Sequence, residues 1–183
     1  ISTLTLSNGN SSYSGATTIS VGTIKLGAVS VGGTNSPLGT TAGITSVTTG
    51  ARLDLNGFSL GIAEPLTING VGYGLGDFAS GALMNSSGST VTYSGVLTIT
   101  TATIKADFGQ IDLTAATHVG TTVVTLGGSG IGTLSVALAS GAASIVKIGT
   151  GTWTLSGQSQ HTGAISVNLG TLKLGATGGA TNT

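Results

Sequence analysis

The side chains that could carry acid–base or metal chemistry are few and scattered along this chain. They are five carboxylates and two histidines, namely Asp54, Glu64, Asp77, Asp107, Asp112, His118 and His161. A glycosidase needs two carboxylates on opposite sides of a cleft, and only Asp107 and Asp112 lie close in sequence. The sequence has no cysteine, which excludes disulfides, thiolate metal sites and a cysteine nucleophile. We therefore predict no catalytic, cofactor-binding or metal-binding residues, and we interpret both histidines as structural or surface residues.

One stretch is similar to a calcium-binding motif. Residues 72–78, GYGLGDF, share glycine and aspartate positions with the nonapeptide of calcium-binding parallel β-rolls. Such sites need tandem copies of the motif, because each ion takes about six to eight oxygen ligands. The chain has a single imperfect copy, so we interpret this stretch as a turn.

The composition favours a β protein and argues against several other classes. Charged residues make up 5% of the 183 positions, against roughly 25% in an average domain, and the net charge is zero. Binding to nucleic acid or to anionic membranes needs basic patches, which the sequence lacks. The 33 glycines have no period of three, which excludes collagen, and the many β-branched residues argue against disorder. No apolar run approaches the roughly 20 residues that span a bilayer as a helix.

Most of the chain consists of short segments in which apolar and polar residues alternate, separated by turn residues. In each segment the apolar residues recur at every second position, as they do on one side of a β-strand. The Asn-Gly, Gly-Thr and Ser-Gly pairs between these segments are typical of turns, since Asn and Gly tolerate positive φ. No window shows the period of about 3.6 residues that indicates a helix, and we predict none. The alternating segments lie at 3–6, 23–26, 51–55, 66–69, 103–106, 145–148, 152–155 and 171–174.

The same alternation predicts which side chains face solvent. A charged residue between apolar neighbours in a strand is expected to point outward while its neighbours point inward. The residues predicted to point outward are Lys25, Arg52, Asp54, Lys105, Asp112, Lys147 and Lys173. Those predicted to point inward are Ile24, Leu53, Leu55, Ile104, Ile148 and Leu172. Trp153 is also expected inside, because it takes the place of Leu4 when similar parts of the chain are aligned.

The sequence repeats part of itself. GTIKLGA at 22–28 returns as GTLKLGA at 170–176, and TLTLS at 3–7 returns as TWTLS at 152–156. Self-similarity of this kind is typical of architectures that stack one unit on the next. We predict one unit of about 149 residues, roughly 3–151, followed by the start of the next at 152–183. Gly22 and Gly170 should then occupy equivalent corners about six or seven coils, or about 30 Å, apart.

Residues 149–175 resemble the passenger-associated transport repeat, also called the autotransporter-associated β-strand repeat. The residues that match its pattern are Gly149, Gly151, Leu155, Ser156, Gly157, Gly163, Val167, Gly170, Leu172, Leu174 and Gly175. Trp153, Ser159 and His161 depart from it, at positions where the family has Leu, Asn and an aromatic residue. The resemblance implies an exported right-handed β-helix in a long bacterial surface protein, and it carries no catalytic residues.

We predict an all-β fold, a single right-handed parallel β-solenoid that continues through residues 1–183. Strands with one apolar side cannot bury that side alone, and coiling stacks each strand on its equivalent in the next turn. The predicted function is a non-enzymatic stalk, filament or adhesin shaft that is extracellular or on the bacterial cell surface. The alternatives are a ligand-, ice- or carbohydrate-binding solenoid and, less favoured, a β-helix enzyme that acts on polysaccharides.

The expected partners follow from the same architecture. Neither end of the sequence has the polar cap that closes a free solenoid, so we expect a fragment of a longer chain or a subunit that associates end to end. Host surfaces, biofilm components and glycans are further candidate partners, whereas nucleic acid and a membrane span are not expected. Ice binding needs a flat, regular array of outward threonines. The residues expected to interrupt such an array are Lys25, Arg52, Lys105, Lys147 and Lys173.

Overall fold

The structure is a computed structural model that describes residues 2–31, 33–74, 80–115, 117–119, 123–135, 144–157 and 162–175. In these ranges the chain forms 19 β-strands, and none of the described residues belongs to a helix that could cross a membrane. The strands stack in parallel as a β-solenoid of about seven turns, which confirms the predicted fold. A short antiparallel hairpin of β4 (Asn35–Ser36) and β5 (Gly39–Thr40) is an exception to the parallel pairing.

The turns of the chain contribute strands to three parallel ladders. The first ladder stacks β2 (Thr17–Ile19), β6 (Thr45–Val47), β8 (Leu66–Gly70), the start of β11 (Leu97–Ala106) and β13 (Thr117–Val119). The second ladder stacks β1 (Thr3–Leu6), β3 (Gly22–Leu26), β7 (Ala51–Asp54), β9 (Leu83–Asn85), the end of β11, β14 (Val123–Gly127), β16 (Ser144–Lys147) and β18 (Ile165–Val167). The third ladder is a separate sheet that stacks β10 (Thr90–Tyr93), β12 (Gln110–Leu113), β15 (Ile131–Leu134), β17 (Thr152–Leu155) and β19 (Thr171–Leu174).

The core consists of side-chain columns that run along the axis with one residue per turn. In the second ladder the paired residues of one column are Leu4, Ile24, Leu53, Leu83, Ile104, Leu126, Lys147 and Val167. At about 4.8 Å per rung, this column spans about 34 Å. Its central aliphatic residues are almost completely buried, so each strand covers the apolar side of the strand before it.

Most of the residues that alternation predicts to be inside do face the core. Leu53, Leu55, Ile104 and Trp153 are buried in the core cluster. Ile148 is also buried, but it lies outside that cluster and on the outer side, near Lys105, so its predicted inward position is not confirmed. The other two, Ile24 and Leu172, are partly buried and pack against the core cluster.

Trp153 fits into the third ladder because a glycine lies beside it. Gly132 pairs with Trp153 on the neighbouring rung, in a column that continues to Ile111 and Leu172. A Cβ atom at Gly132 would lie 2.2 Å from the indole ring, closer than atoms can pack. The indole Nε1 donates a hydrogen bond to the carbonyl oxygen of Gly127 at 2.9 Å. The smallest residue thus makes room for the largest, as close packing of the core requires.

Gly132→Ala is expected to lower the free energy of unfolding by about 1–3 kcal/mol, because the added methyl group overpacks the core against the indole. Replacing Trp153 by leucine removes the clashing ring. Urea denaturation of both single variants and of the double variant measures the coupling, and the double variant should lose less stability than the two single losses added. Strictly additive losses would show that the ring does not lie over residue 132.

The two similar parts of the sequence lie on different ladders, so the predicted equivalence of Gly22 and Gly170 is wrong. Both have positive φ, 91° and 75°, but Gly22 opens β3 in the second ladder and Gly170 immediately precedes β19 in the third. What the copies share is a coil, since β3 stacks on β1 about 20 residues earlier and β19 stacks on β17 about 19 residues earlier. The motif therefore encodes one coil, and either ladder can hold it. The larger unit of about 149 residues stays a prediction.

The facing predicted for the charged side chains is confirmed in part. The residues that are half-buried or exposed on the outer side are Lys25, Arg52, Lys105, Asp112 and Lys173. Lys147 and Asp54 are buried, so their prediction as solvated residues is wrong. In the segment IVKI at 145–148 three positions are apolar, so alternation does not decide which two residues face the core. In the structure Ile145 and Lys147 face it. Asp54 shares an outer column with Lys25, but the backbone and side chains of the adjoining turns cover it.

Candidate functional site

The two carboxylates that lie closest in sequence take different partners in the structure. Asp107 Oδ1 lies 3.3 Å from Lys105 Nζ, whereas both carboxylate oxygens of Asp112 accept hydrogen bonds from Gln110 Nε2, at 2.8 and 2.9 Å. Among the described residues, no group of three or more His, Asp or Glu side chains could hold a metal ion. Of the five carboxylates and two histidines of the sequence, Asp77, His118 and His161 have side chains outside the described part of the chain.

The stretch similar to a calcium-binding motif is described up to residue 74. Gly72 and Gly74 have φ of 75° and 91°. The Tyr73 backbone nitrogen donates to Ser80 Oγ at 3.0 Å, and the Ser80 backbone nitrogen donates to the Tyr73 carbonyl oxygen at 2.9 Å. These contacts join Tyr73 to Ser80. Residues 75–78 lie outside the described part of the chain, so the interpretation of this stretch as a turn stays a prediction.

Glu64 is a buried carboxylate for which the sequence analysis predicted no role. Only 1% of its surface is exposed. Its Oε1 accepts a hydrogen bond from Thr45 Oγ1 at 2.9 Å, and among the residues that the structure describes Oε2 has no hydrogen-bond partner. Burial raises the pKa of Glu64 from 4.5 to about 7, and the hydrogen bond from Thr45 opposes part of that shift. The group is therefore partly protonated at neutral pH, in a place without access for a substrate.

Tyr93 connects Glu64 to the third ladder. Its hydroxyl group donates a hydrogen bond to the Glu64 carbonyl oxygen at 2.5 Å. Burial raises the pKa of Tyr93 well above 10, and the negative charge of Glu64 raises it further. Gly95 lies against the same carbonyl group, where a Cβ atom would be 1.7 Å from the oxygen. This cluster is closed and tightly packed, so its chemistry is the gain or loss of one proton at Glu64.

Lys147 has none of its surface exposed, although it carries a charge. Its ammonium Nζ donates hydrogen bonds to the carbonyl oxygens of Ile148 at 2.6 Å, Gly149 at 2.7 Å and Leu169 at 3.1 Å. The first two carbonyls belong to its own turn and the third belongs to the next turn. The side chain therefore ties two rungs together where the chain passes from the second ladder to the third. Carbonyl dipoles stabilise the charge that burial removes from water.

Two other buried polar side chains tie the same passage in earlier turns. Asp54 accepts hydrogen bonds from the backbone nitrogens of Asn56 in its own turn, at 2.9 Å, and Ser86 in the next, at 3.1 Å. Asn85 Oδ1 accepts a hydrogen bond from the Gly57 backbone nitrogen at 3.0 Å. We call these three buried side chains, Asp54, Asn85 and Lys147, the polar corner. They hold successive turns in register along one edge of the solenoid.

A groove lies outside the polar corner. It has a volume of about 290 Å³, and the residues that line it include Lys105, Asp107, Phe108, Ser129, Ile148 and Leu169. Phe108 has 75% of its surface exposed. Sequence reasoning missed this groove. Its one signal in the sequence is an aromatic residue in the turn ADFGQ, at 106–110, where Gly, Ser and Asn would be usual.

The outer side of the third ladder bears on the ice-binding alternative. Its two outward columns are Thr90, Gln110, Ile131, Thr152 and Thr171, and Thr92, Asp112, Thr133, Thr154 and Lys173. The expected interruption is wrong for Lys147, which is buried, whereas Lys25, Arg52 and Lys105 lie on the outer side of the second ladder. The residues that do interrupt the threonines are Gln110, Asp112, Ile131 and Lys173. The array is therefore not regular.

The family model of the passenger-associated-transport-repeat matches residues 2–26 and 145–174. The first range contains β1 to β3, and the second runs from the second residue of β16 to the end of β19. No curated protein and no solved structure matches the chain. In each matched range two strands about 19 or 20 residues apart lie side by side on consecutive rungs. Two stretches of the chain therefore match the passenger-associated-transport-repeat, and both lie in one parallel β-solenoid.

Proposed function

We propose that this chain is a segment of an exported passenger solenoid at the bacterial cell surface and that it serves there as a non-enzymatic shaft. The repeat family and the solenoid fold both fit a passenger segment. The observation that supports the shaft role best is the side-chain column of the second ladder, which runs from Leu4 to Val167 through consecutive rungs. Further turns lengthen such a column without changing its core.

The bonds between turns act along the axis, which is the direction in which a shaft must resist strain. Parallel strand pairs join successive rungs in every ladder. The polar corner adds side-chain ties, such as the hydrogen bond from Lys147 to the Leu169 carbonyl oxygen in the next turn. Bending the solenoid would stretch these bonds on one side, so the whole set resists bending.

We also propose that each terminal rung meets a further rung, either of the same protein or of another subunit. Within the described residues β1 pairs with β3 alone, and β19 pairs with β17 alone. Leu4 and Leu174 on these two strands are exposed, Leu174 to 71%. A strand edge with free backbone groups and exposed apolar side chains is a template for pairing with another strand.

Cryo-electron microscopy of the secreted full-length protein tests the shaft role. Duplicating this segment in the full-length protein should lengthen the rod by about 38 Å, because each of the eight added rungs contributes about 4.8 Å. A matched control inserts a Gly/Ser linker of equal length, which should add no rod density because such linkers behave as flexible coils. An unchanged rod length after duplication, or a compact globular particle, would contradict the proposal.

Release of reducing ends from a polysaccharide by the purified chain would favour the enzyme alternative instead. Such activity should depend on carboxylates in reach of the substrate, and Asp107 and Asp112 are the half-buried ones that the structure describes. Activity that Asp107→Asn or Asp112→Asn abolishes, with the fold intact by circular dichroism, would overturn the non-enzymatic role.

A further inference from the structure

We propose that the groove outside the polar corner binds a neutral sugar, such as a pyranose unit of a surface glycan. This inference goes beyond the shaft role, which requires no ligand. It rests on the shape of the groove, on the kinds of side chain that form its walls and floor, and on its balance of charge.

Two apolar side chains form opposite ends of the groove. The hydrogen bond from the Ile131 backbone nitrogen to the Gly109 carbonyl oxygen, and its equivalents in later turns, set the order of the residues along this edge. The residues that occupy the same place in four successive turns are Phe108, Ser129, Thr150 and Leu169. Phe108 and Leu169 expose 75% and 45% of their surfaces. At about 4.8 Å per turn, they lie about 14 Å apart along the axis.

The floor between these ends is low and polar. Gly128 and Gly149 have φ of 98° and 68°, and a Cβ atom at Gly128 would lie 1.9 Å from the backbone of the preceding turn. The exposed side chains of Ser129 and Thr150 add hydroxyl groups. Lys147 fixes the Gly149 carbonyl from the inside. The floor is therefore held in one shape before any ligand arrives, which lowers the entropy cost of binding.

The charges in the groove balance each other. Lys105 Nζ and Asp107 Oδ1 lie 3.3 Å apart, and both side chains are partly exposed. An ammonium group has three donors and a carboxylate has about four acceptor positions, so each keeps capacity for a ligand. Because the pair is neutral as a whole, the groove favours neither an anion nor a cation. It favours a neutral ligand that both donates and accepts hydrogen bonds.

A sugar ring combines the properties that this groove would recognise. Its C–H face is apolar and can pack against an aromatic side chain such as Phe108, while its hydroxyl groups donate and accept hydrogen bonds. The volume of about 290 Å³ is near the lower end of the range of ligand sites, about 300–1,000 Å³. The groove therefore suits one or two rings rather than a long peptide or a second protein.

Saturation-transfer difference NMR on the 183-residue chain tests this proposal, with glucose, galactose, N-acetylglucosamine, cellobiose and lactose as probes. We expect transfer to the ring C–H protons of at least one probe. Phe108→Ala should weaken its affinity about tenfold, which is a readily measured change in Kd. Thr150→Trp places a large side chain in the groove and should abolish transfer.

Val21→Ala is the matched control, because Val21 is exposed to 80% and does not line the groove. This variant should bind the probe as the unchanged chain does. No transfer with any probe, or equal affinity of Phe108→Ala and the unchanged chain, would overturn the proposal. Preference for glucuronate or glucosamine over glucose would overturn the inference of a neutral ligand.

Sedimentation velocity separates sugar binding from contact between copies of the chain. If the unchanged chain formed a dimer that Phe108→Ala dissociated, and no sugar bound, the groove would be a protein interface and the proposal would be wrong. Circular dichroism of every variant checks that the solenoid is intact. Failure of the sugar test leaves the rod-length experiment unaffected, so the two proposals can fail separately.

Discussion

Replacing Lys147 by methionine is expected to lower the free energy of unfolding by about 2–4 kcal/mol. Methionine resembles the lysine stem in size and adapts to irregular space, so the aliphatic column should stay packed. The carbonyl oxygens of Ile148, Gly149 and Leu169 lose their common donor. The bond to the Ile148 carbonyl is buried, and a buried acceptor left without a partner costs about 1–3 kcal/mol, whereas the bonds to Gly149 and Leu169 are only partly buried and their loss costs less. Removal of the desolvated charge offsets part of this loss.

Lys173→Met is the matched control, because Lys173 is exposed on the outer side of β19. Substitution at such a surface position should change stability by no more than about 0.5 kcal/mol. Urea denaturation of both variants measures the difference. Equal stabilities would mean that the three carbonyl groups find other partners, and that Lys147 does not tie the turns together.

The fold could be predicted because the signals for it are local. An alternating segment such as TWTL at 152–155 determines which side chains share one side of a strand, and Trp153 and Leu155 are indeed buried. Lys147 shows where that reasoning fails. In IVKI three of the four residues are apolar, so both choices of inner side leave an apolar residue outside. The choice is made by Leu126 and Val167, which flank Lys147 on neighbouring rungs.

The position of each coil on the ladders depends on turn lengths that alternation does not reveal. Ile24 pairs with Leu53, 29 residues later, whereas Leu83 pairs with Ile104, 21 residues later. Extra residues in the early turns change where the next strand is placed. This explains why two similar stretches of sequence begin on different ladders. It also explains why the sequence did not reveal the groove. Its ends, Phe108 and Leu169, are about 60 residues apart in sequence, and only the stacking of turns brings them to the same groove.

The solenoid is expected to lose stability as the pH rises from about 4.5 to about 7, because of Glu64. In the unfolded chain this carboxyl group titrates near 4.5, and in the folded protein its pKa is about 7. Between these values the folded state holds one proton more than the unfolded state, so a rise in pH favours unfolding. The contribution of Glu64 is complete below about pH 4.5 and is lost as the pH rises through 7. At about 1.4 kcal/mol per pH unit, the loss amounts to about 3 kcal/mol.

Glu64→Gln isolates this effect, because glutamine has a similar shape and does not ionise. Its amide oxygen can keep the hydrogen bond from Thr45, and the nearby Tyr93 does not titrate in this range because its pKa lies well above 10. Urea denaturation of both proteins at several pH values removes the contributions of all other groups when the two are subtracted. The difference should shift by about 3 kcal/mol in favour of the glutamine variant between about pH 4.5 and about pH 8. A difference that stays constant over that range would show that burial does not perturb the Glu64 carboxyl group.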